Sequence, residues 1–153
     1  MIIEPGNPAP DFTLKTEDGE DFTEAELQGH TTVLVFYPLA FSPLCTDQFQ
    51  IYEETLDELE EQGARMYGVS VDSPYAQKAF RDLAGVSIPM LSDFEPKGSA
   101  SMAFGAWFAP AGFSNRALVI VREDGIVAWS YEADSPGDVP GANLIFDGLA
   151  AKV

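Results

Sequence analysis

The sequence is short of cysteine, histidine and positive charge, and each scarcity removes a class of function. There is one cysteine, one histidine and 8 basic residues in 153. A single cysteine cannot close an internal disulfide, which argues against a secreted, bridge-stapled scaffold. His30 has no second histidine and no cysteine nearby, so a metal centre built on it is not expected, and it reads as a solvent-facing loop residue. Against the 8 Lys and Arg stand 25 Asp and Glu, a formal net charge of −17. That field repels nucleic acid and anionic lipid, so neither is an expected partner. No uninterrupted apolar run reaches membrane-spanning length. The start, Met1-Ile2-Ile3-Glu4-Pro5-Gly6, lacks a basic segment and a long apolar core and does not read as a secretion signal. A cytoplasmic location is expected.

What is present is a globular composition, 46% hydrophobic and 12% aromatic without repeats, read as one domain over residues 1–153. The acidity fits a salt-rich cytosol, as in halophiles, where molar salt screens like charges over a few ångströms; an acidic protein of an ordinary cell is the other reading.

The stretch Tyr37-Pro38-Leu39-Ala40-Phe41-Ser42-Pro43-Leu44-Cys45-Thr46 organises the chain. Before it, Thr32 to Tyr37 is a β-branched and aromatic run without charge, the pattern of a buried central strand. Pro38 cannot donate to a sheet ladder, so the strand ends there. Ser42-Pro43 reads as a helix N-cap followed by proline in the first helical position. Phe49, Tyr52, Leu56 and Leu59 then recur at helical spacing over a long helix of 43–61, with Cys45 one turn before Phe49. Cys45 thus lies in the first turn of a helix, where unpaired N–H groups favour a thiolate. A lone cysteine is also a common buried hydrophobe, and Ser42 a common plain cap; position favours reactivity.

Elsewhere, Asp11 to Leu14 and the Asp18-Gly19 turn predict a hairpin reaching Phe22, and Thr23 with Glu26 forms a capping box. Arg65 to Val71 is a second buried strand, followed by a helix of 74–84 whose apolar side holds Tyr75, Ala76, Ala79, Phe80 and Leu83. Glu53, Glu54, Asp57, Glu58, Glu60 and Glu61 form a solvated face rather than a cation site. Ser87 to Leu91 is extended, with Ile88-Pro89 open to cis though trans is favoured. A short helix near 98–104 leads into the aromatic, glycine-rich loop 104–113, readable as a pocket or interface lining or as a flap over the core. Ala117 to Val121 and Ile126 to Tyr131 flank a turn at Glu123-Asp124-Gly125, and 142–153 is a closing helix. A parallel βαβ half followed by an antiparallel hairpin predicts an α/β thioredoxin-like fold. Its mixed central sheet is flanked by helices and carries an N-terminal β-hairpin.

These residues resemble the peroxiredoxins. Pro38 to Cys45 is similar to that family's Pro-x-x-x-Thr/Ser-x-x-Cys loop. Ala9-Pro10-Asp11-Phe12, Val69-Ser70-Val71-Asp72-Ser73, Pro89-Met90-Leu91-Ser92-Asp93 and Asn115-Arg116 appear in the family's order. Phe36 to Phe41, with Ser92-Asp93-Phe94 and Phe104-Gly105, most resembles the one-cysteine alkyl hydroperoxide reductase E type. The resemblance implies thiol-dependent reduction of hydrogen peroxide and organic hydroperoxides, with no cofactor. It makes Cys45 the peroxidatic thiolate, has Ser42 hydrogen-bond the peroxide, has Pro38 shield the pocket, and has Arg116 stabilise the thiolate and the transition state. A guanidinium stays charged when partly buried, which suits that role; Arg116 paired with a nearby carboxylate at a strand edge is the alternative.

The chain departs from the pattern in three places. Ser42 replaces the commoner threonine, and Gln48 stands where many relatives carry glutamate, which makes its part in orienting the arginine weaker or different. Gln50 stands where some relatives carry a resolving cysteine, and no second cysteine exists. The expected mechanism is therefore one-cysteine, with sulfenic acid on Cys45 resolved by an external thiol: a thioredoxin, a glutaredoxin-like protein or a low-molecular-weight thiol. A homodimer is expected by resemblance. A redox sensor, or a non-catalytic thioredoxin-fold binding or chaperone domain, is the competing reading.

Overall fold

The computed structural model describes residues 1–151. Its centre is the uncharged run, which forms β3 (Thr31–Phe36) in the interior of a seven-stranded sheet. β3 lies parallel to β4 (Ala64–Ser70), which lies parallel to β5 (Met90–Ser92). On its other side it pairs antiparallel with β8 (Ala117–Val121), and β8 with β9 (Val127–Glu132). The N-terminal hairpin, β1 (Thr13–Lys15) and β2 (Asp21–Thr23), joins the far edge against β5. A strand paired on both sides and covered on both faces must be apolar throughout, which is why β3 and β8 hold nothing polar after Thr31 and Thr32 at the start of β3.

Alternate residues of β3 build two cores. Val33 and Val35, with Tyr37 just beyond the strand, pack with Cys45, Phe49 and Tyr52 of α1 (Pro43–Glu53), Phe80 of α3 (Pro74–Ala84) and Ile145 and Leu149 of α5 (Ala142–Ala150). Leu34 and Phe36 face Phe12, Leu14, Phe22, and Phe104 of α4 (Ser99–Phe104). Each such side chain contributes roughly 1.5–3 kcal/mol of burial. The capping box at Thr23 and Glu26 is formed and opens a short 3₁₀ turn, Glu24–Leu27.

Three expectations change. The helix read over 43–61 breaks, ending α1 at Glu53 and restarting as α2 (Leu56–Glu61). The Thr55 hydroxyl donates to the Tyr52 carbonyl at 2.7 Å, and the Glu54 and Thr55 amides bond back to Ile51 and Tyr52, so the ladder tightens and stops. On α3 the bounds match, yet Tyr75 and Leu83 are exposed. Gln77 takes the inward position because its amide donates to Ser70 Oγ at 3.0 Å and the Leu91 carbonyl at 2.8 Å. His30 is half-buried rather than solvent-facing; burial and the Arg65 charge lower its pKa, and its Nε2 has no hydrogen-bond partner. Among the described residues the cis proline bond is Glu95–Pro96, and Ile88–Pro89 takes the favoured trans form.

The loop 104–113 holds a two-stranded ribbon, β6 (Trp107–Phe108) and β7 (Phe113–Ser114). Ala106 is buried in the second core and the Trp107 ring lies over Gly98, so this segment acts as a flap on α4. Of the closing helix, residues 152–153 lie outside the described residues.

Candidate active site

The strand-to-helix junction forms as its residues dictate. Pro38 is buried at the end of β3, and Ser42 caps α1 with Pro43 in the first turn. Ser42 Oγ accepts the Cys45 amide at 3.3 Å, while the Ser42 carbonyl accepts both the Thr46 amide and the Thr46 hydroxyl at 3.0 Å. Cys45 is fully buried and unbonded to any other sulfur. Between Pro38 and Ser42, Phe41 takes a left-handed φ of 70°, a conformation a bulky side chain adopts only when its surroundings impose it. Two contacts impose it: the Ala40 amide donates to Asp72 Oδ2 at 2.8 Å, and the Phe41 ring packs edge-on against Phe80 at 5.6 Å. Ser70 Oγ donates to the same Asp72 oxygen at 2.7 Å.

Arg116, 71 residues after Cys45, comes to the thiol from just before β8, the strand paired with β3. Its Nη1 donates to Cys45 Sγ at 3.2 Å and to Gln48 Oε1 at 2.8 Å, and its Nε donates to the Pro136 carbonyl at 2.6 Å. The Asn115 side chain accepts the Arg116 amide at 2.9 Å and donates to the Ala133 carbonyl, also at 2.9 Å, which fixes the start of β8. Arg116 is 2% exposed, and among the described residues no carboxylate pairs with it. The strand-edge ion pair is thus replaced by a buried cation facing a thiol.

Beyond Gln48 the polar chain continues. Gln48 Nε2 donates to Tyr52 Oη at 3.1 Å, and Tyr52 Oη donates to the Pro140 carbonyl at 2.6 Å. Burial raises the Tyr52 phenol to about 12, opposed by the Gln48 hydrogen bond and the Arg116 charge. Pro38, Ser42, Cys45 and Arg116 were all expected at a site, and the contacts above join Ser42, Cys45 and Arg116 directly. Tyr52, Pro136 and Pro140 are not expected from the sequence, and Gln48, expected to have a weaker or different part in orienting the arginine, is its direct acceptor. Only Tyr52, one helical turn after Gln48, left a signal in the sequence.

A buried cation lacking a carboxylate is costly, and the group beside it that would relieve that cost as a thiolate is Cys45, its sulfur at 3.2 Å in the first turn of α1. Such a thiolate is a nucleophile with hydrogen-bond donors already aimed at an oxygen it attacks. Among the described residues no cluster of three or more His, Cys, Asp or Glu could hold a metal ion.

Comparison with known proteins agrees with this chemistry. Residues 5–130 match the AhpC/TSA family. The chain is 34% identical over 151 residues to alkyl hydroperoxide reductase E of Mycobacterium tuberculosis, with 98% of each chain covered. It is 28% identical over 137 residues to peroxiredoxin Bcp of Escherichia coli, covering 90% of this chain and 83% of that one. The crystal structure of Enterococcus faecalis AhpC superposes with a TM-score of 0.88 at 26% identity, covering 99% of this chain and 92% of the other. The fold is thioredoxin-like, a mixed sheet flanked by helices.

Proposed function

The chain belongs to the AhpC/TSA family and is a thiol-dependent peroxidase, and from that premise we propose that Cys45 is the residue that reacts, by a one-cysteine mechanism. The observation that carries this reading is the Arg116 guanidinium, buried without a carboxylate and 3.2 Å from the only thiol.

The Cys45 thiolate attacks the terminal oxygen of ROOH. An S–O bond forms as the O–O bond breaks, and the departing alkoxide takes a proton from solvent to leave as ROH. Sulfur is oxidised to sulfenic acid and the peroxide is reduced. Arg116 holds the thiolate before attack and donates to the oxygens as charge moves onto them. The oxygen of Ser42 is engaged by the Cys45 amide, which leaves its proton to donate to the peroxide. Pro38, buried at the strand end, keeps water from the sulfur. Cys45 is the only cysteine, so an external thiol condenses with the sulfenic acid, releasing water and forming a mixed disulfide. A second thiol then displaces Cys45. The donor is a thioredoxin, a glutaredoxin-like protein or a small thiol.

Three further proposals concern setting. The chain works as a single domain in the cytoplasm; no helix of the described residues is long and apolar enough to cross a membrane. It pairs as a homodimer, supported by the exposed apolar side chains Leu39, Phe41, Leu44 and Phe94, and light scattering after size exclusion reads this directly. Its charge of −17 suits a salt-rich solvent, which requires a melting temperature that climbs from low to molar KCl.

The test of function mixes reduced protein with substoichiometric peroxide, follows tryptophan emission by stopped flow and detects the product by mass spectrometry. Sulfenic acid on Cys45, formed much faster than on a small thiol, is the expected result; a rate equal to that of a small thiol overturns the reading.

A further inference from the structure

Arg116 Nη1 can only donate, and besides the Cys45 sulfur its partner is one end of a side-chain amide. The two ends of that amide are chemically opposite. Gln48 helps Arg116 only while its oxygen faces the guanidinium; turned over, it sets an NH₂ group against a cation. Arg116 favours the oxygen from its own side, and the far end of the amide needs an acceptor for its nitrogen; water cannot supply one, because Gln48 and Tyr52 are fully buried and Arg116 is 2% exposed.

We propose that Tyr52 is a positioning residue for peroxide reduction, its hydroxyl fixing which end of the Gln48 amide meets Arg116. The proposal rests on the assignment of Cys45 and Arg116 as the reacting pair. Tyr52 Oη has one proton, and the Pro140 carbonyl takes it at 2.6 Å. Toward Gln48 the phenol therefore presents only lone pairs, and the amide nitrogen must face it, as it does at 3.1 Å. That leaves Oε1 for Arg116 at 2.8 Å. The reversed amide is opposed at both ends, oxygen against oxygen at Tyr52 and N–H against N–H at Arg116.

The direction of the whole chain is thus set by a backbone carbonyl that cannot turn round. Pro140 lies just before Gly141, the N-cap of α5. The same connection between β9 and α5 supplies the Pro136 carbonyl to Arg116 Nε at 2.6 Å. One loop therefore anchors the guanidinium twice, directly and through Tyr52 and Gln48. A glutamate at position 48 offers an oxygen at either end and needs no such selection, so the dependence on Tyr52 belongs to the glutamine.

That last point supplies the test. Tyr52→Phe keeps the ring and removes the hydroxyl. It is expected to slow oxidation of Cys45 by hydrogen peroxide about tenfold, the scale of one lost buried hydrogen bond. In a Gln48→Glu background the same change is expected to slow the rate by less than about twofold, because a carboxylate has no amide end for the hydroxyl to select. A Tyr52→Phe rate equal to the parent's, or an equal loss in both backgrounds, overturns the proposal. Neutron diffraction of the unsubstituted protein tests it without a variant. Deuterium is expected on Tyr52 Oη toward Pro140 and on Gln48 Nε2 toward Tyr52, and amide deuterons facing Arg116 overturn it. A parent protein that is not oxidised by peroxide condemns the peroxidase assignment instead, and the neutron result still stands on its own.

Discussion

At the end of β3 and again at the end of β4 the chain turns through a Ser-Pro pair into an 11-residue helix. Ser42 caps the Cys45 amide at 3.3 Å, and Ser73 caps the Ala76 amide at 3.2 Å in the same relation. Phe49 and Phe80, one turn further along, are both buried in one core and meet at 6.1 Å. Local structure at Cys45 and Ala76 is the same, so the helix start is not what distinguishes the site. The differences lie around it. The positions matching Gln48 and Tyr52 are Ala79 and Leu83, and Leu83 is exposed. No arginine reaches Ala76 among the contacts of the described residues, whereas Arg116 reaches Cys45. The first junction also takes a longer path, Tyr37 to Ser42, with Phe41 held at a φ of 70°.

A third helix start sharpens the lesson. Asp93 places its carboxylate on the Ala100 and Ser101 amides of α4, both at 2.9 Å. Burial nonetheless raises its pKa to about 6. Two helix-end amides thus do not offset the cost of burying an anion, which is the part a guanidinium can supply at Cys45.

The largest effect is expected from moving the thiol. Cys45→Ser abolishes peroxide consumption, and adding Ala76→Cys restores only the rate of an unactivated thiol. Peroxide kinetics on the double variant check this; a thiol at position 76 as fast as Cys45 makes the helix start sufficient and breaks the contrast. Arg116→Lys keeps the charge but cannot serve Cys45, Gln48 and Pro136 together. A loss of at least about tenfold in the same assay is expected. Asp72→Ala frees the Ala40 amide and Ser70 hydroxyl, destabilising the fold by about 1–3 kcal/mol in urea titrations and releasing the strained loop.

The smallest effect concerns Asp93 and pH. Its folded pKa of about 6 lies above the ordinary 3.8, so between these values the folded state holds this proton more firmly than the unfolded chain. Its contribution to stability is full below the lower value and falls as pH rises to about 6. Asp93→Asn removes this slope, so the difference between variant and parent in denaturant titrations should drift in the variant's favour from about pH 4 to 6.

How much could be read from the chain follows from the range of each interaction. Ser42-Pro43 and Cys45 declare themselves because a cap acts over one helical turn. Arg116 came from the family pattern and from its place before an apolar run. Tyr52 lies on the inward stripe with Gln48 one turn before it, but their task depends on Arg116 and Pro140, 68 and 88 positions away, which periodicity cannot register. The break at Thr55 was hidden for a different reason, since a hydroxyl returning to its own backbone leaves the apolar spacing intact. Tyr75 and Leu83 were misread because spacing says which residues share a face, not which face turns inward; Gln77 settled that through Ser70 and Leu91.

The claim at the centre is that Arg116, not the helix terminus, makes Cys45 reactive. Stopped-flow oxidation of Cys45 in Arg116→Ala, with the fold checked by circular dichroism, tests it most directly. A fall of about 10²–10³, toward the rate of a small thiol, is expected. A folded variant that keeps the parent rate contradicts it.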